Sequence, residues 1–525
     1  MKIECPKCKQ HLDVPEAYFG QSLGCPSCNV NLAIPFAMQP AAPEPVAAAV
    51  PAHAEEEAVV PAAPVQKTTP PPPPPPPMPV SGQKKARPAK PAKSSKKKGT
   101  IIAVSVGGLL VVGAIVLIVI FGVPILGSKP AAKEVAWTFE AAEGPFGMMS
   151  SGFDTTPAIG KDGTIYATAM AGVVYAIDQA SGQKIWEYKI NKPDVGSPVV
   201  DENGVVYVAA KGIFALDGTT GAKLWDNASG ASFSFGKYLT APVIVPGGLL
   251  VAVYQDLSED ENLLRTFDSK SGDQKWEFEL EEIRGLGNKA STPAVANDGT
   301  IYFGRGDVFL ALDGKTGKKK WDFATGQGRG LFSSNESSPA IGADGTVYFG
   351  GGDGKVYALN GKTGDKIWDQ NVDSSVNGSP AIGPNGLVVI SYGSGIVALD
   401  GKSGEEKWNH SLGAFSFTDY DGDPVVGNNG RVYIGSAGMS RGEKSSHGLV
   451  VFDGTSGAKL WTAGTGKGSM LSGVSGGITM SSNGTIFFGG LDNKLYCVGT
   501  EATGPADSSW PMFGGNAQNT GNVSK

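Results

Sequence analysis

From about residue 135 onward the chain alternates short apolar runs with polar, glycine-centred turns. Asp162-Gly163-Thr164 leads into Ile165-Tyr166, Asp298-Gly299-Thr300 into Ile301-Tyr302, and Asp344-Gly345-Thr346 into Val347-Tyr348. β-Branched and aromatic residues suit a pleated, half-buried surface. Asp-Gly and Asn-Gly supply the positive φ of a tight hairpin. A second turn, such as Asp353-Gly354, leads into Val356-Tyr357-Ala358-Leu359. Ahead of these strands stands a Ser/Thr-Pro-Ala-Ile segment, as at Ser338 to Ile341, and a Trp begins the next short strand, as in Trp321-Asp322-Phe323. The grammar predicts four strands per unit.

An eleven-residue pattern joins the last two strands of each unit: small/apolar-apolar-Asp-x-x-Ser/Thr-Gly-x-x-x-Trp. Its seven copies end at Trp186, Trp225, Trp276, Trp321, Trp368, Trp408 and Trp461, and Asn360 replaces the Asp in the fifth. The tryptophans are 39 residues apart at the closest (Trp186 to Trp225) and 53 at the widest (Trp408 to Trp461). Unit starts at Pro157, Pro198, Pro242, Pro293, Pro339, Pro380, Pro424 and a degenerate Gly476-Gly477 give eight units. Four strands repeated at this spacing predict an all-β fold, an eight-bladed β-propeller over residues 133–525. The eighth unit lacks the Trp ending. Trp137-Thr138-Phe139 is inferred to complete it and close the ring, which removes the edges of an open array. Trp510 competes for that seat. The Trp offers a flat surface to wedge between blades, the Asp and Thr tie the turn to backbone donors, and the Gly permits positive φ.

The pattern with its terminal Trp resembles the PQQ-like (pyrroloquinoline-quinone-type) eight-bladed propellers. That family includes quinoprotein alcohol dehydrogenases and non-enzymatic members similar to the BamB lipoprotein of outer-membrane β-barrel assembly. The resemblance implies the propeller fold, with Trp137, Trp186, Trp225, Trp276, Trp321, Trp368, Trp408 and Trp461 as blade-docking residues. It leaves enzyme and scaffold both open.

Composition changes abruptly before the propeller. Residues 1–36 carry Cys5-Pro6-Lys7-Cys8 and Cys25-Pro26-Ser27-Cys28, sixteen residues apart. Two C-x2-C turns at this spacing suit a tetrahedral four-thiolate zinc site. The segment resembles a zinc ribbon, with Val14 and Tyr18-Phe19-Gly20 forming a small hairpin between the turns. In so small a module the metal supplies the folding energy. Two disulfides and a rubredoxin-like iron site are the alternatives; a cytoplasmic address disfavours the first. His11 is not needed as a ligand. Lys2, Lys7 and Lys9 make a faint basic patch. Nucleic-acid binding, protein docking and a purely structural role all remain readings of the ribbon.

Residues 37–100 are almost all Ala, Pro, Glu and Lys, with eight prolines at 70–77. They cannot bury a core and are expected to be disordered, stiffened locally as polyproline II. A spacer and a ligand for aromatic grooves are both readings of the proline run. Residues 101–123 contain no charge, and the stretch 101–124 is expected to cross a bilayer as one helix of about 35 Å. Lys84, Lys85, Arg87, Lys90, Lys93, Lys96, Lys97 and Lys98 precede it, and only Lys129 and Lys133 lie close after it. This asymmetry places the N-terminus in the cytoplasm and the propeller outside the inner membrane. Residues 101–525 hold 32 Lys+Arg against 43 Asp+Glu, a net charge of −11, which argues against nucleic acid as the propeller's partner.

A dehydrogenase of the resembled family holds its quinone over a Trp floor. It also has a calcium site built from Glu, Asn and Asp, a catalytic Asp, an Arg, and usually two adjacent cysteines. Residues 133–525 contain one cysteine, Cys497, which reads as a buried core thiol, and no Cys-x-x-Cys-His. The docking pattern consumes every propeller Trp except Trp137 and Trp510. Two blades carry longer loops, Tyr254 to Leu263 and Gly438 to Gly448. The first reads as a cation site or a solvated acidic hairpin. In the second, His447 has no partner at recognisable spacing. Tyr420-Asp421-Gly422-Asp423 resembles part of a calcium loop but lacks the remaining ligands. The sequence therefore predicts a membrane-anchored, non-enzymatic platform for protein partners, without PQQ and with structural zinc. The alternatives are a degenerate quinoprotein dehydrogenase, a small-ligand sensor using the central channel, and a signalling protein with the ribbon as output.

Overall fold

The computed structural model describes four short strands within residues 2–33 and, from 133 to 523, all but segments 143–151, 191–194, 211, 228–236, 257–260, 281–289, 327–336, 373, 394, 412–417, 420–421, 440–446 and 466–470. Residues 1–102 and 103–525 are separate units.

In the first unit Lys2–Glu4 pairs antiparallel with His11–Asp13, and Ser22–Gly24 with Asn31–Ala33. The paired ends Glu4 and His11 bracket the stretch containing Cys5 and Cys8; Gly24 and Asn31 bracket that containing Cys25 and Cys28. There are thus two hairpins, one around each cysteine pair. Val14, Tyr18–Gly20, the four cysteines, the linker 37–100 and the apolar stretch 101–124 lie outside the described residues. Among the described residues no helix is long and apolar enough to cross a membrane.

The second unit is an eight-bladed propeller of antiparallel sheets. Blade 5 shows the plan: Ala340–Ile341 innermost, then Thr346–Gly350, Lys355–Asn360 and Lys366–Asn371 outermost. The middle strands are almost wholly buried, while outer strands such as Lys319–Ala324 of blade 4 alternate exposed and covered residues. Such alternation marks a sheet with one wet face. Each Trp is the third residue of its outer strand rather than the first. In blade 1 Lys184 pairs with Ile177, a bulge follows, and Trp186 faces Ala176. The small residue opposite leaves room for the indole.

Apolar clusters lie between blades rather than within them. One joins Val389, Ile396 and Ala398 of blade 6 to Val426, Val432 and Ile434 of blade 7. Blade 8 is composite: Leu471–Met480, Ile486–Gly490 and Lys494–Val498 come from the end of the chain, and Val135–Glu140 supplies the outer strand. Trp137 faces Cys497 there, as Trp186 faces Ala176.

Candidate functional site at the propeller axis

Each blade-joining Trp has two partners in the next blade. The indole NH donates to the carbonyl after the pattern's Asp: Trp186 to Gly218 at 2.8 Å, Trp225 to Ser269 at 3.0 Å, Trp276 to Gly314 at 3.2 Å, Trp321 to Gly361 at 3.0 Å, Trp368 to Gly401 at 2.9 Å and Trp408 to Gly454 at 2.7 Å. Trp137 donates to Gln179 at 3.0 Å. The ring then lies against the pattern's Gly; at Gly221 (φ +71°) a Cβ would stand 2.6 Å from Trp186. The pattern's Asp fastens the turn. Asp217 accepts from the amides of Thr219 and Thr220 and from the Thr220 hydroxyl, and those bonds, the hydroxyl first, hold its pKa below the usual value. Asn360 accepts the same two amides, while Thr363 turns to Asp365.

Trp461 differs. Its indole NH is buried with no acceptor among the described residues. Thr500 holds the position that Gly361 holds in blade 5, but the chain leaves the blade there because Val135–Glu140 already fills the outer place.

The residue before each unit's Pro recurs at one level: Thr156, Ser197, Ala241, Thr292, Ser338, Ser379 and Asp423, with Gly477 in blade 8. Neighbours are stitched across blades. The amide of Thr156 donates to Ser197 Oγ at 3.0 Å, that of Thr292 to Ser338 Oγ at 3.1 Å, and that of Ser379 to Asp423 Oδ1 at 2.7 Å. Asp423 therefore takes a place held elsewhere by hydroxyls. Burial, opposed by the bonds from Ser379, pushes its carboxyl above the normal range. Its side chain remains half-buried. Asp421 of the calcium-loop resemblance lies outside the described residues, and Asp423 serves this stitch.

The chain's last residues cover the axis. After Val498 they cross the face formed by the Asp-Gly turns and accept hydrogen bonds from the innermost strands of six blades. The bonds run from Ile159 N to Ala517 O (2.7 Å), Val200 N to Gln518 O (3.0 Å), Ile244 N to Thr520 O (3.0 Å), Val295 N to Gly521 O (2.7 Å), Ile382 N to Trp510 O (2.6 Å) and Val426 N to Pro511 O (2.9 Å). Asn519, 2% exposed, directs its side-chain nitrogen at the carbonyls of Thr156, Pro157 and Pro198, each at 3.2 Å. Trp510 thus stands at the axis and not in the eighth Trp seat, and belongs to the apolar cluster that also holds Tyr302, Tyr348 and Ile382 of blades 4 to 6. A Cβ on Gly515 would stand 3.2 Å from its ring, so that glycine covers one indole face. The void beside it, bordered by Thr292, Ser338 and Phe513, offers about 10 Å³, room for no more than one water. The Cys497 thiol, buried between blades 8 and 1, is pushed up to about 12 by that burial.

The turns after each second strand lie on the opposite face, because successive strands reverse direction. Two blades extend there. In blade 3, Leu249–Asp256 and Glu261–Asp268 pair over eight residues each, and Lys237–Leu239 adds to the inner edge. From blade 7, Ala437–Met439 crosses to the sheet of blade 8, pairing with Leu471–Gly473 there and with Thr418–Asp419 on its other edge. These are the two long loops of the sequence, and they stand half a ring apart. His447 is buried beside the second, and its carbonyl accepts from Thr465 N at 3.1 Å.

The family model described as "Outer membrane protein assembly factor BamB" matches residues 128–233, 212–381 and 371–440, more than half of the chain. The curated "1-butanol dehydrogenase (quinone)" of Thauera butanivorans is 28% identical over 177 residues, 30% of this chain and 27% of that protein. The chain thus spans about a quarter of that relative's length. The crystal structure of BamB from Moraxella catarrhalis superposes with a TM-score of 0.53 at 18% identity, covering 69% of this chain and 98% of that one. The quinohemoprotein alcohol dehydrogenase structure from Comamonas testosteroni gives 0.51 at 16% identity, covering 72% and 79%. At these identities the structural likeness shows the fold.

Proposed function

Because the chain belongs to the family described as outer membrane protein assembly factor BamB, we propose that it is a membrane-anchored, non-enzymatic propeller that binds protein partners outside the cytoplasm. The observation carrying this reading is the axis. The chain's own residues 505–523 fill it on one face, around Trp510, while blades 3 and 7 raise paired strands on the other. A rigid ring with raised loops presents a surface for a macromolecule. The lysine asymmetry around residues 101–124 supports an extracytoplasmic position for that surface.

The dehydrogenase reading rests on the quinone enzymes among the relatives. Against it, residues 133–525 hold one cysteine and so no adjacent pair, and the axial Trp510 is covered. No reaction step through PQQ is derived from these residues. The test is to mix the purified protein with PQQ and calcium and follow its melting and dye-linked alcohol oxidation. We expect neither a shift nor turnover, and a capture experiment with the propeller as bait should return an extracytoplasmic protein. Micromolar quinone binding with turnover would replace the scaffold reading.

For the N-terminal unit, we propose structural zinc held by Cys5, Cys8, Cys25 and Cys28. The support is chemical and topological: four thiols at C-x2-C spacing, each pair bracketed by a hairpin. Metal analysis of the full chain should give one zinc, lost in the Cys8→Ser/Cys25→Ser double variant. Stoichiometric iron, or a wild-type chain without metal, would refute it.

A further inference from the structure

The inner strands of blades 1 to 7 are short; most are two residues long, as at Ala158–Ile159, Val199–Val200 and Ala381–Ile382, whereas Leu471–Met480 of blade 8 runs to ten. One edge pairs with the second strand. The other faces the axis, where its amides need acceptors. Residues 505–523 supply them for six of the eight blades. Their side chains also take inner-strand carbonyls: Ser508 Oγ donates to Ile382 O at 2.5 Å and Gln518 Nε2 to Ile159 O at 2.9 Å. Trp510 and Met512, 2% and 1% exposed, enter two different inter-blade clusters. Asp507 is the segment's one charged residue. Gly514, Gly515, Asn519 and Gly521 have positive φ, so the segment follows the ring's curvature as a series of turns.

These are the features of a recognised peptide: main-chain bonds along open edges, two apolar anchors and one buried amide. They belong to a separate stretch of chain with no repeat grammar. We propose that the axial ring of inner-strand amides is a peptide-binding site, occupied in cis by residues 508–523. Its ligand class is an uncharged, turn-forming peptide with an indole anchor followed by proline, here Trp510-Pro511-Met512-Phe513. The ring therefore binds the same sequence in trans once the covalent link is cut.

The test keeps the full chain. A specific protease site is inserted after Asp507, which is exposed, and cleaved after folding. The fragment beginning at Ser508 should co-elute with the propeller. A labelled synthetic peptide of residues 508–525 should exchange into the ring at one per chain. The Trp510→Ala peptide should compete roughly 30-fold more weakly, as expected for a buried indole anchor. Each of three outcomes overturns the proposal. The fragment could leave a still-folded ring, or the labelled peptide could fail to exchange. Cleavage could also unfold the propeller, which would make the segment part of the fold and not a ligand. Circular dichroism and melting of the cleaved protein separate the first from the third.

Discussion

The indole nitrogen of Trp137 donates to the carbonyl of Gln179 at 3.0 Å, and that bond crosses the seam between the last blade and the first. Val135–Glu140 pairs with Lys494–Val498 across a bulge, Trp137 opposite Cys497. The two ends of the propeller therefore close it differently. The N-terminal strand closes the circumference, and the C-terminal segment closes the axis. Closure at the circumference hides the sheet edges that an open ring would expose.

Trp137→Ala should lower stability about as much as Trp321→Ala, by about 3 kcal/mol, because the two indoles make the same contacts. The figure takes the low end of the range for buried aromatic deletions, since both side chains are only partly buried. Chemical denaturation of the two variants checks it. A silent Trp137→Ala would mean that the seam is held by something else.

Gly182→Ala and Gly299→Ala should separate two costs that sequence treats alike. Both glycines have positive φ, +70° and +83°, which costs an alanine about 1–2 kcal/mol. At Gly182 the new Cβ would also fall 2.5 Å from Cδ2 of Trp137, whereas at Gly299 nothing lies within 4 Å. Overpacking adds about 1–3 kcal/mol. Gly182→Ala should therefore melt well below Gly299→Ala, and equal melting temperatures would show that the Trp137 seat yields.

The docking pattern made the Trp seats legible because each of its letters has a local duty. Asp217 binds the turn amides, Gly221 clears the indole, and Trp186 reaches Gly218. The recurring Ser/Thr-Pro was visible too, but its meaning was not. Ser197 receives a bond from Thr156, 41 residues earlier, and no local pattern reports a contact between blades. Trp510 illustrates the same limit. By composition it looked like a ninth candidate for eight seats, and only the assembled ring gives it the axis. Two hairpins form, one around each cysteine pair, because each strand pairs with the segment just across its own turn; the small hairpin expected between the pairs, at Val14 and Tyr18–Gly20, lies outside the described residues.

Asp423→Asn should stabilise the propeller at neutral pH and make no difference near pH 4. Burial raises the folded-state pKa of Asp423 above an unfolded value of about 3.9. Its protonated form is the one the fold favours. That contribution is complete below the unfolded pKa and is lost as pH rises through the folded one. Asparagine keeps an acceptor for Ser379 N and carries no charge to desolvate. Melting temperatures of the two proteins from pH 4 to 8 should diverge upward with pH. Parallel curves would mean that the carboxylate stays solvated in the folded protein.

Trp461→Phe should cost less than Trp408→Phe, although both residues end the same eleven-residue pattern. Trp408 donates to Gly454 O at 2.7 Å, so phenylalanine there removes a buried hydrogen bond and leaves the carbonyl without its donor. Such a loss costs about 1–3 kcal/mol beyond the change in volume. Trp461 has no acceptor for its buried NH among the described residues. Its ring meets Tyr433 edge-on at 68°, where Trp368 meets Tyr348 at 38°. Tyr348 donates its hydroxyl to Gly401 O, the same carbonyl that Trp368 uses, whereas Tyr433 receives a bond from Asn429. The eighth blade has no turn to offer that carbonyl. Phenylalanine at 461 deletes an unsatisfied donor, which offsets part of the lost contact area. Denaturation midpoints should place Trp461→Phe at least about 1 kcal/mol above Trp408→Phe. The reverse order would show that an acceptor reaches the Trp461 indole in solution.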